Sequence, residues 1–168
     1  MQVLIIRLTF SVIVGLLAAP VWGQVVTSAP LFPSDLSSVT ITFDATKGTG
    51  GLAGFLGEIY AHTGIITNQS TSSTDWKYVK TNWGENTTET QLNKIDENKY
   101  ELEIGPSIRA YYGVPADEEI LKIALVFRSA DASLEGKDDG GEDLFIELNN
   151  GFVLKVVNVS SRYKLYQE

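Results

Sequence analysis

The sequence contains no cysteine and a single histidine among its 168 residues. Without cysteine the chain has no disulfide bonds, no thiolate metal site and no thiol nucleophile, so burial of apolar side chains must hold the fold together. Acidic residues outnumber basic ones by 21 to 13, which gives a net charge of −8, and the basic residues form no cluster. Such a chain is poorly suited to nucleic acid or to an anionic membrane surface, and we expect neither partner.

Residues 1–23 have the layout of a secretory signal peptide. Arg7 supplies the positive charge, residues 8–21 form an apolar run, and small residues precede a cleavage point before Gln24. The apolar run is shorter than the roughly 20 residues that a membrane span requires. No cysteine follows that could carry a bacterial lipid anchor. We therefore expect a secreted protein, extracellular or at the cell surface, that has no membrane contact after the signal is cleaved.

After a proline-containing extended segment at 24–37, apolar and polar residues alternate in short runs. An alternation with a period of two is typical of half-buried strands. The runs are separated by turn sequences such as KGTGG and GKDDGG. This pattern predicts an all-β protein, an antiparallel β-sandwich of the immunoglobulin-like or carbohydrate-binding-module-like type. The predicted strands are 39–43, 58–66, 76–83, 100–104, 121–128 and 144–148, with helical turns at 106–112 and 116–119.

The sandwich is expected to span residues 38–150. The remaining segment, 151–168, has the sequence GFVLKVVNVSSRYKLYQE and indicates one further strand and the beginning of another. Two interpretations stay open. The segment is either the last strand of the same sandwich or the start of a second β domain in a longer polypeptide.

Large rings occur in an otherwise polar segment, STDWKYVKTNWGE at 73–85. Successive side chains on a strand point to opposite faces of the sheet. Val79 is the aliphatic residue of this segment and is expected to face the core. The same alternation would then turn Trp76 and Tyr78 outward.

The second predicted strand leads to a similar expectation. Ile59 and Ala61 suit the core, so Tyr60 and His62 are expected to face outward. If the two strands are neighbours, the four rings form an exposed aromatic patch, which is typical of a binding surface. The C–H face of a pyranose stacks on such rings, and its hydroxyl groups bond to polar side chains at the rim. The pattern therefore favours sugar recognition.

Structural roles for the same residues also stay open. A tryptophan in a sandwich commonly packs in the core, and one β-bulge would reverse the facing of a strand. A lone histidine such as His62 is often a hydrogen-bonded structural residue. Trp83 is expected to pack in the core or to anchor a loop. Tyr111 and Tyr112 are expected to pack the short helical segment.

Three stretches together resemble a known family: EIYAHTGIIT, TDWKYVKTNWGENT and LKIALVFRSADASLEGKDDGGEDLFIEL. They resemble the N-terminal β-sandwich module of secreted bacterial α-amylase-type proteins, a relative of the family 26 starch-binding modules. In those modules, aromatic residues at alternate strand positions and a following tryptophan flank an α-glucan. Tyr60 and His62 match the alternate positions, Trp76 matches the tryptophan, and 125–127 with 137–140 match a later strand and turn.

The resemblance implies a non-catalytic module that binds an α-glucan such as starch and tethers a catalytic domain carried elsewhere in a longer polypeptide. A structural spacer or adhesin-type sandwich without its own ligand is the alternative. A third possibility, a small hydrolase, would need two carboxylates facing one cleft. The expected stacking residues are Tyr60, His62, Trp76 and Tyr78, and the expected hydrogen-bonding residues are Lys80, Lys137 and Asp138.

Neither catalysis nor a cofactor is expected from the motifs. The chain has no GxSxG elbow and no cysteine–histidine pair. The stretch DASLEGKDDGGE at 131–142 partly matches a calcium-binding loop, but Asp138 occupies a position that is usually apolar, and both flanks are predicted strands. We interpret the match as a coincidence. A looser Ca²⁺ site among Asp131, Asp138, Asp139 and Asp143 stays open.

Overall fold

Residues 23–149, which the computed structural model describes, form two antiparallel β-sheets. This confirms the predicted all-β sandwich class. The one α-helix among these residues is a five-residue segment, and none is long and apolar enough to span a membrane. In chain order the elements are β1 (Val26–Ala29), β2 (Val39–Asp44), β3 (Ile59–Thr67), β4 (Asn93–Asp96), β5 (Lys99–Ile104), α1 (Ile108–Tyr112), β6 (Ile120–Ser129), β7 (Glu135–Gly136), a 3-10 turn (Asp139–Gly141) and β8 (Leu144–Glu147).

Each sheet has four strands. The first sheet has the order β1-β2-β5-β4. The second is built on the long β3–β6 pair, and both β7 and β8 pair with β6 at different points along its length. Strand β8 runs beside residues 122–125, whereas β7 runs beside Phe127 and Arg128.

Five of the six predicted strands are present, as β2, β3, β5, β6 and β8. The predicted strand at 76–83 is wrong, because this segment makes only an isolated bridge at Lys77. Strands β1, β4 and β7 were not predicted. The helical prediction at 106–112 is confirmed by α1, whereas 116–119 forms a turn. Except for Gly23, the predicted signal peptide lies outside the described residues, as does 151–168.

The core lies between the two sheets and is built by the alternation noted above. Apolar residues of β2 and β5 face those of β3 and β6. At the centre, Phe43 of the first sheet stacks on Phe127 of the second, with ring centroids 4.2 Å apart. Strand β7 can approach this stack only because position 136 is glycine. A Cβ atom there would lie 2.5 Å from Cζ of Phe43.

The outer edge of β3 is covered by irregular chain. Ile65 and Lys77 exchange two backbone hydrogen bonds, and the Lys80 amide donates to the Thr63 carbonyl. The 77–80 segment crosses close to β3 at Gly64, where a Cβ atom would lie 3.0 Å from the Lys77 carbonyl oxygen. This crossing brings the aromatic segment of the sequence against the second sheet.

The facing predicted for Tyr78 and Val79 is wrong because Tyr78 has a φ of 50°, which breaks the alternation of an extended strand. Val79, expected in the core, is 41% exposed. The Tyr78 ring instead packs against the core. Ile59 and Ala61 are buried as expected, because β3 is a regular strand.

Candidate ligand-binding site on the outer face of the second sheet

The outer face of the second sheet carries the side chains that alternate with the core residues of β3 and β6. The register pairs Tyr60 with Arg128 and His62 with Val126. Tyr60 and Arg128 are buried although they lie on this outer face, whereas His62 is half-buried. Loops on either side cover part of the face and leave a depression over His62.

This depression is a pocket of about 270 Å³. His62 and Val126 contribute from the sheet, and two tryptophans contribute from the 73–85 segment. Charged side chains come from β7 and the stretch after it. The lining residues are His62, Thr74, Trp76, Trp83, Val126, Glu135, Lys137 and Asp143.

Three rings form what we call the His62 cluster: His62, Trp76 and Trp83. The imidazole lies nearly parallel to the Trp76 ring, with centroids 5.7 Å apart and planes inclined by 25°. It meets Trp83 edge to face, at 5.2 Å and 79°. The two indole planes are therefore far from parallel, and they form an angled surface rather than a flat one.

The tryptophans of the cluster differ in how they are held. Trp76 is half-buried, and its indole N–H donates to the Ser73 carbonyl at 3.1 Å. Trp83 is 47% exposed. A large apolar ring that stays this open to solvent beside a pocket is a feature of binding surfaces.

The surroundings of His62 favour the neutral form of its imidazole. Burial lowers the pKa of the imidazole, and the positive charge of Arg128 lowers it further, whereas Asp143 raises it. The Nδ1 atom is buried and has no hydrogen-bond partner. A proton on Nδ1 would therefore be an unsatisfied buried donor, which favours the tautomer protonated at Nε2.

We expect the stability of the protein to depend on pH through His62. Because the folded-state pKa lies below the ordinary value of 6.5, the unfolded state takes up the proton first as the pH falls. Stability should therefore decline below about pH 6.5. Urea unfolding at about pH 7.5 and about pH 5 should show a larger loss for the wild type than for His62→Gln. Equal losses would contradict this assignment.

Charges of both signs line the rim of the pocket. The ammonium of Lys137 lies 3.1 Å from Oδ1 of Asp143, and both side chains are about one-quarter exposed. Glu135 on β7 is exposed. A partly exposed ion pair contributes little to stability. It does place a donor and an acceptor side by side, which suits two neighbouring hydroxyl groups of a ligand.

The pocket unites three of the seven predicted site residues, namely His62, Trp76 and Lys137. Tyr60 lies on the same face but is only 7% exposed, so the expectation of an exposed ring is wrong there. The Arg128 guanidinium covers its ring, and its hydroxyl donates to Glu58 at 2.8 Å.

The other three predicted residues lie outside the pocket. The Tyr78 hydroxyl donates to Glu118 at 2.5 Å. Lys80 donates to the Tyr111 carbonyl, lies over the Tyr111 ring at 4.6 Å and forms an ion pair with Glu89. Asp138 caps the short 3-10 turn by accepting from the Asp139 amide.

Six residues at or beside the pocket were not among the predicted binding residues: Thr74, Trp83, Val126, Glu135, Asp143 and Arg128. Trp83 carried a usable signal, because it belongs to the same polar segment as Trp76 and is followed by Gly84, a common turn residue. Arg128 could have been placed by alternation from Phe127 in the core. Nothing in the sequence distinguishes Glu135 and Asp143 from the other surface carboxylates.

The described residues offer no metal site. Within 23–149, no three histidine or carboxylate side chains are placed to hold a metal ion. Asp131, a member of the possible Ca²⁺ group, accepts hydrogen bonds from the hydroxyls of Ser129 and Ser133, which lower the pKa of its carboxyl to about 2. Asp143 is paired with Lys137.

Comparison with models of known protein families and with curated protein sequences gave no significant match. The class of protein is therefore defined by its fold and pocket: a β-sandwich with an angled aromatic pocket on the outer face of one sheet.

Proposed function

We propose that this chain is a non-catalytic carbohydrate-binding module for an α-glucan such as starch, and that it acts as part of a secreted glycoside hydrolase or polysaccharide-utilisation protein. The observation that carries the proposal is the His62 cluster beside the Lys137–Asp143 ion pair. Its role would be to hold a catalytic domain of the same polypeptide close to its polymer, which raises the effective concentration of substrate.

The pocket matches the two surfaces of a sugar ring. The C–H face of a pyranose is weakly apolar and can lie on the exposed part of Trp83 or Trp76. The hydroxyl groups at the ring edge need donors and acceptors, which Lys137, Asp143 and Glu135 offer at the rim. Apolar walls with a few polar groups that fix orientation are the usual composition of small-ligand sites.

The angle between the two indole planes favours an α-linked glucan. Such a chain coils, so successive sugar rings are turned relative to one another. A β-1,4-linked glucan is a flat ribbon, and flat ribbons suit coplanar rings. The pocket volume of about 270 Å³ lies just below the usual range for ligand sites, about 300–1,000 Å³, so it suits only a short stretch of a chain.

Truncation of either tryptophan is expected to weaken glucan binding strongly. In native gels that contain soluble starch or glycogen, the wild type should be retarded relative to a gel without polymer. Trp76→Ala and Trp83→Ala should each lose about 2 kcal/mol of binding free energy or more, a roughly 30-fold weakening, because central aromatic residues dominate binding surfaces. A gel with a soluble cellulose derivative tests the preference for α-linkages.

Phe32→Ala is the matched control, since Phe32 is a similarly exposed ring outside the pocket, at 66% exposure. This variant should migrate as the wild type does in every gel. Unchanged migration of the wild type in all polymers would overturn the proposal and favour a structural spacer. Retardation that survives in both tryptophan variants would place the binding surface elsewhere.

A small hydrolase is the second candidate, because Glu135 and Asp143 line the same pocket. Two carboxylates facing one cleft are the minimum that glycoside hydrolysis requires. The test is the release of reducing ends from starch by the wild type, Glu135→Gln and Asp143→Asn. Release by the wild type that both variants lose would replace the non-catalytic proposal.

A further inference from the structure

Arg128 has an unusual environment for an arginine on the outer face of a sheet. Its side chain is fully buried. Among residues 23–149, no aspartate or glutamate lies within ion-pair distance of it, and its Nε–H is buried without a partner. Burial accordingly lowers the pKa of the guanidinium.

The hydrogen bonds of Arg128 run to the loop that carries Trp83. Nη1 donates to Oδ1 of Asn86 at 2.8 Å and to the Ser129 carbonyl at 3.1 Å, and Nη2 donates to the Glu85 carbonyl. The Asn86 amide in turn donates to the Ala130 carbonyl at 3.0 Å. The planar fork therefore joins residues 85 and 86 to the end of β6.

The guanidinium also lies close to two aromatic rings. Cζ lies 5.6 Å from the centroid of the Tyr60 ring and 6.0 Å from that of the Trp83 ring. Both distances are within the range of cation–π attraction. Arg128 thus contacts the Trp83 ring directly, and its Nη2 also binds the backbone carbonyl of Glu85, two residues after Trp83.

Packing alone does not account for an arginine at this position. A buried cation without a carboxylate partner carries a desolvation penalty that an apolar side chain of similar length would avoid. Methionine could fill much of the same volume. The property that only arginine supplies is a charged, planar fork that binds three acceptors and lies near two rings at once.

We propose that Arg128 is the positioning residue of the His62 cluster: its guanidinium fixes the 83–86 loop and with it the plane of Trp83 against the pocket. The inference rests on the proposed function, because Arg128 would act on the ligand only through Trp83. A second effect follows from its charge, which opposes a proton on His62.

Two substitutions separate the effect of the planar guanidinium from the effect of its positive charge. Arg128→Lys keeps a positive charge but puts a single ammonium nitrogen in place of the planar fork whose two terminal nitrogens bind Asn86 and the Glu85 carbonyl. Arg128→Met removes both properties. Lys99→Met is the matched control, because it removes one exposed positive charge from the other sheet.

Three readouts are measured on each variant. The first is the NMR resonance of the Trp83 indole N–H, assigned by comparison with Trp83→Phe. The second is the NMR titration of His62, which is unambiguous because the chain has one histidine. The third is retardation by soluble starch in native gels.

Arg128→Lys should shift the Trp83 resonance and weaken starch retardation about tenfold, while His62 titrates close to its wild-type pH. Arg128→Met should show the same shift and weakening, and His62 should in addition titrate at a higher pH. Lys99→Met should match the wild type in all three readouts. An unmoved Trp83 resonance with full retardation in both Arg128 variants would overturn the proposal and leave Arg128 a packing residue.

The design also separates this proposal from the proposed function. If the wild type binds no glucan, the Trp83 resonance and the His62 titration still decide whether Arg128 positions the cluster. If Arg128→Met does not fold, Asn86→Ala removes one acceptor of the fork while Arg128 remains. Asn86→Ala should then move the Trp83 resonance, and an unmoved resonance would refute the positioning role.

Discussion

Replacement of Phe127 by alanine is expected to lower the free energy of unfolding by about 3–5 kcal/mol. The Phe127 side chain is fully buried, and its ring stacks on Phe43 of the opposite sheet. Its removal leaves a cavity between the sheets in addition to the lost burial of the ring. Because domains of this size are typically stable by about 5–15 kcal/mol, urea unfolding should show a large loss.

Phe145→Ala is the control for this measurement. Phe145 is a half-buried phenylalanine on β8 between two buried neighbours, so its ring lies on the outer face of the same sheet. The ammonium of Lys122 lies over it at 5.6 Å. We expect a loss of about 1 kcal/mol. Similar losses for both variants would show that the Phe43–Phe127 stack is not the main junction between the sheets.

Gly136→Ala is expected to destabilise the protein by about 1–3 kcal/mol through overpacking. The added methyl group would lie 2.5 Å from Cζ of Phe43 and 3.1 Å from Cδ1 of Leu52. The close-packed core leaves neither the Phe43 ring nor the Leu52 side chain free space to move into. Strand β7 should therefore move outward. Because Lys137 follows directly and lines the pocket, starch retardation should weaken as well.

Gly105→Ala provides a comparison with the same chemical change. A Cβ atom at position 105 would make only an ordinary contact, at 3.8 Å from Cβ of Ser38. Its effect on the urea midpoint should be within about 0.5 kcal/mol of zero. If the two glycine variants unfold at the same urea concentration, the close approach of β7 to Phe43 does not limit stability.

The strands that the sequence predicted correctly share one property. In β2, β5 and β6, aliphatic or aromatic core residues recur at every second position, as in Val39, Ile41 and Phe43. The segment at 76–83 contains similar residue types, but contacts with distant parts of the chain determine its conformation. Tyr78 has left-handed backbone geometry, and the chain crosses β3 at Gly64. Strand periodicity cannot describe a segment that is not a strand.

The candidate site was predictable in part. His62 could be placed on the outer face because β3 is regular, and Trp76 stood out as a large ring in polar surroundings. For Trp83 the polar segment and the following glycine suggested a loop ring, but its place in the pocket depends on a loop that Arg128 of β6 holds. Tyr78 was misplaced because its hydroxyl binds Glu118, forty residues away in the sequence.

The sequence by itself determined that this is an all-β chain with an apolar core, since alternation is a local property of neighbouring residues. Its excess of acidic residues led us to expect no nucleic-acid partner, and its aromatic rings in polar surroundings led us to expect a sugar. Only the tertiary structure decided which aromatic side chains contact one another. The distances among Trp83, Arg128 and Lys137 depend on strand register and on loop crossings between distant segments, and no local pattern encodes them.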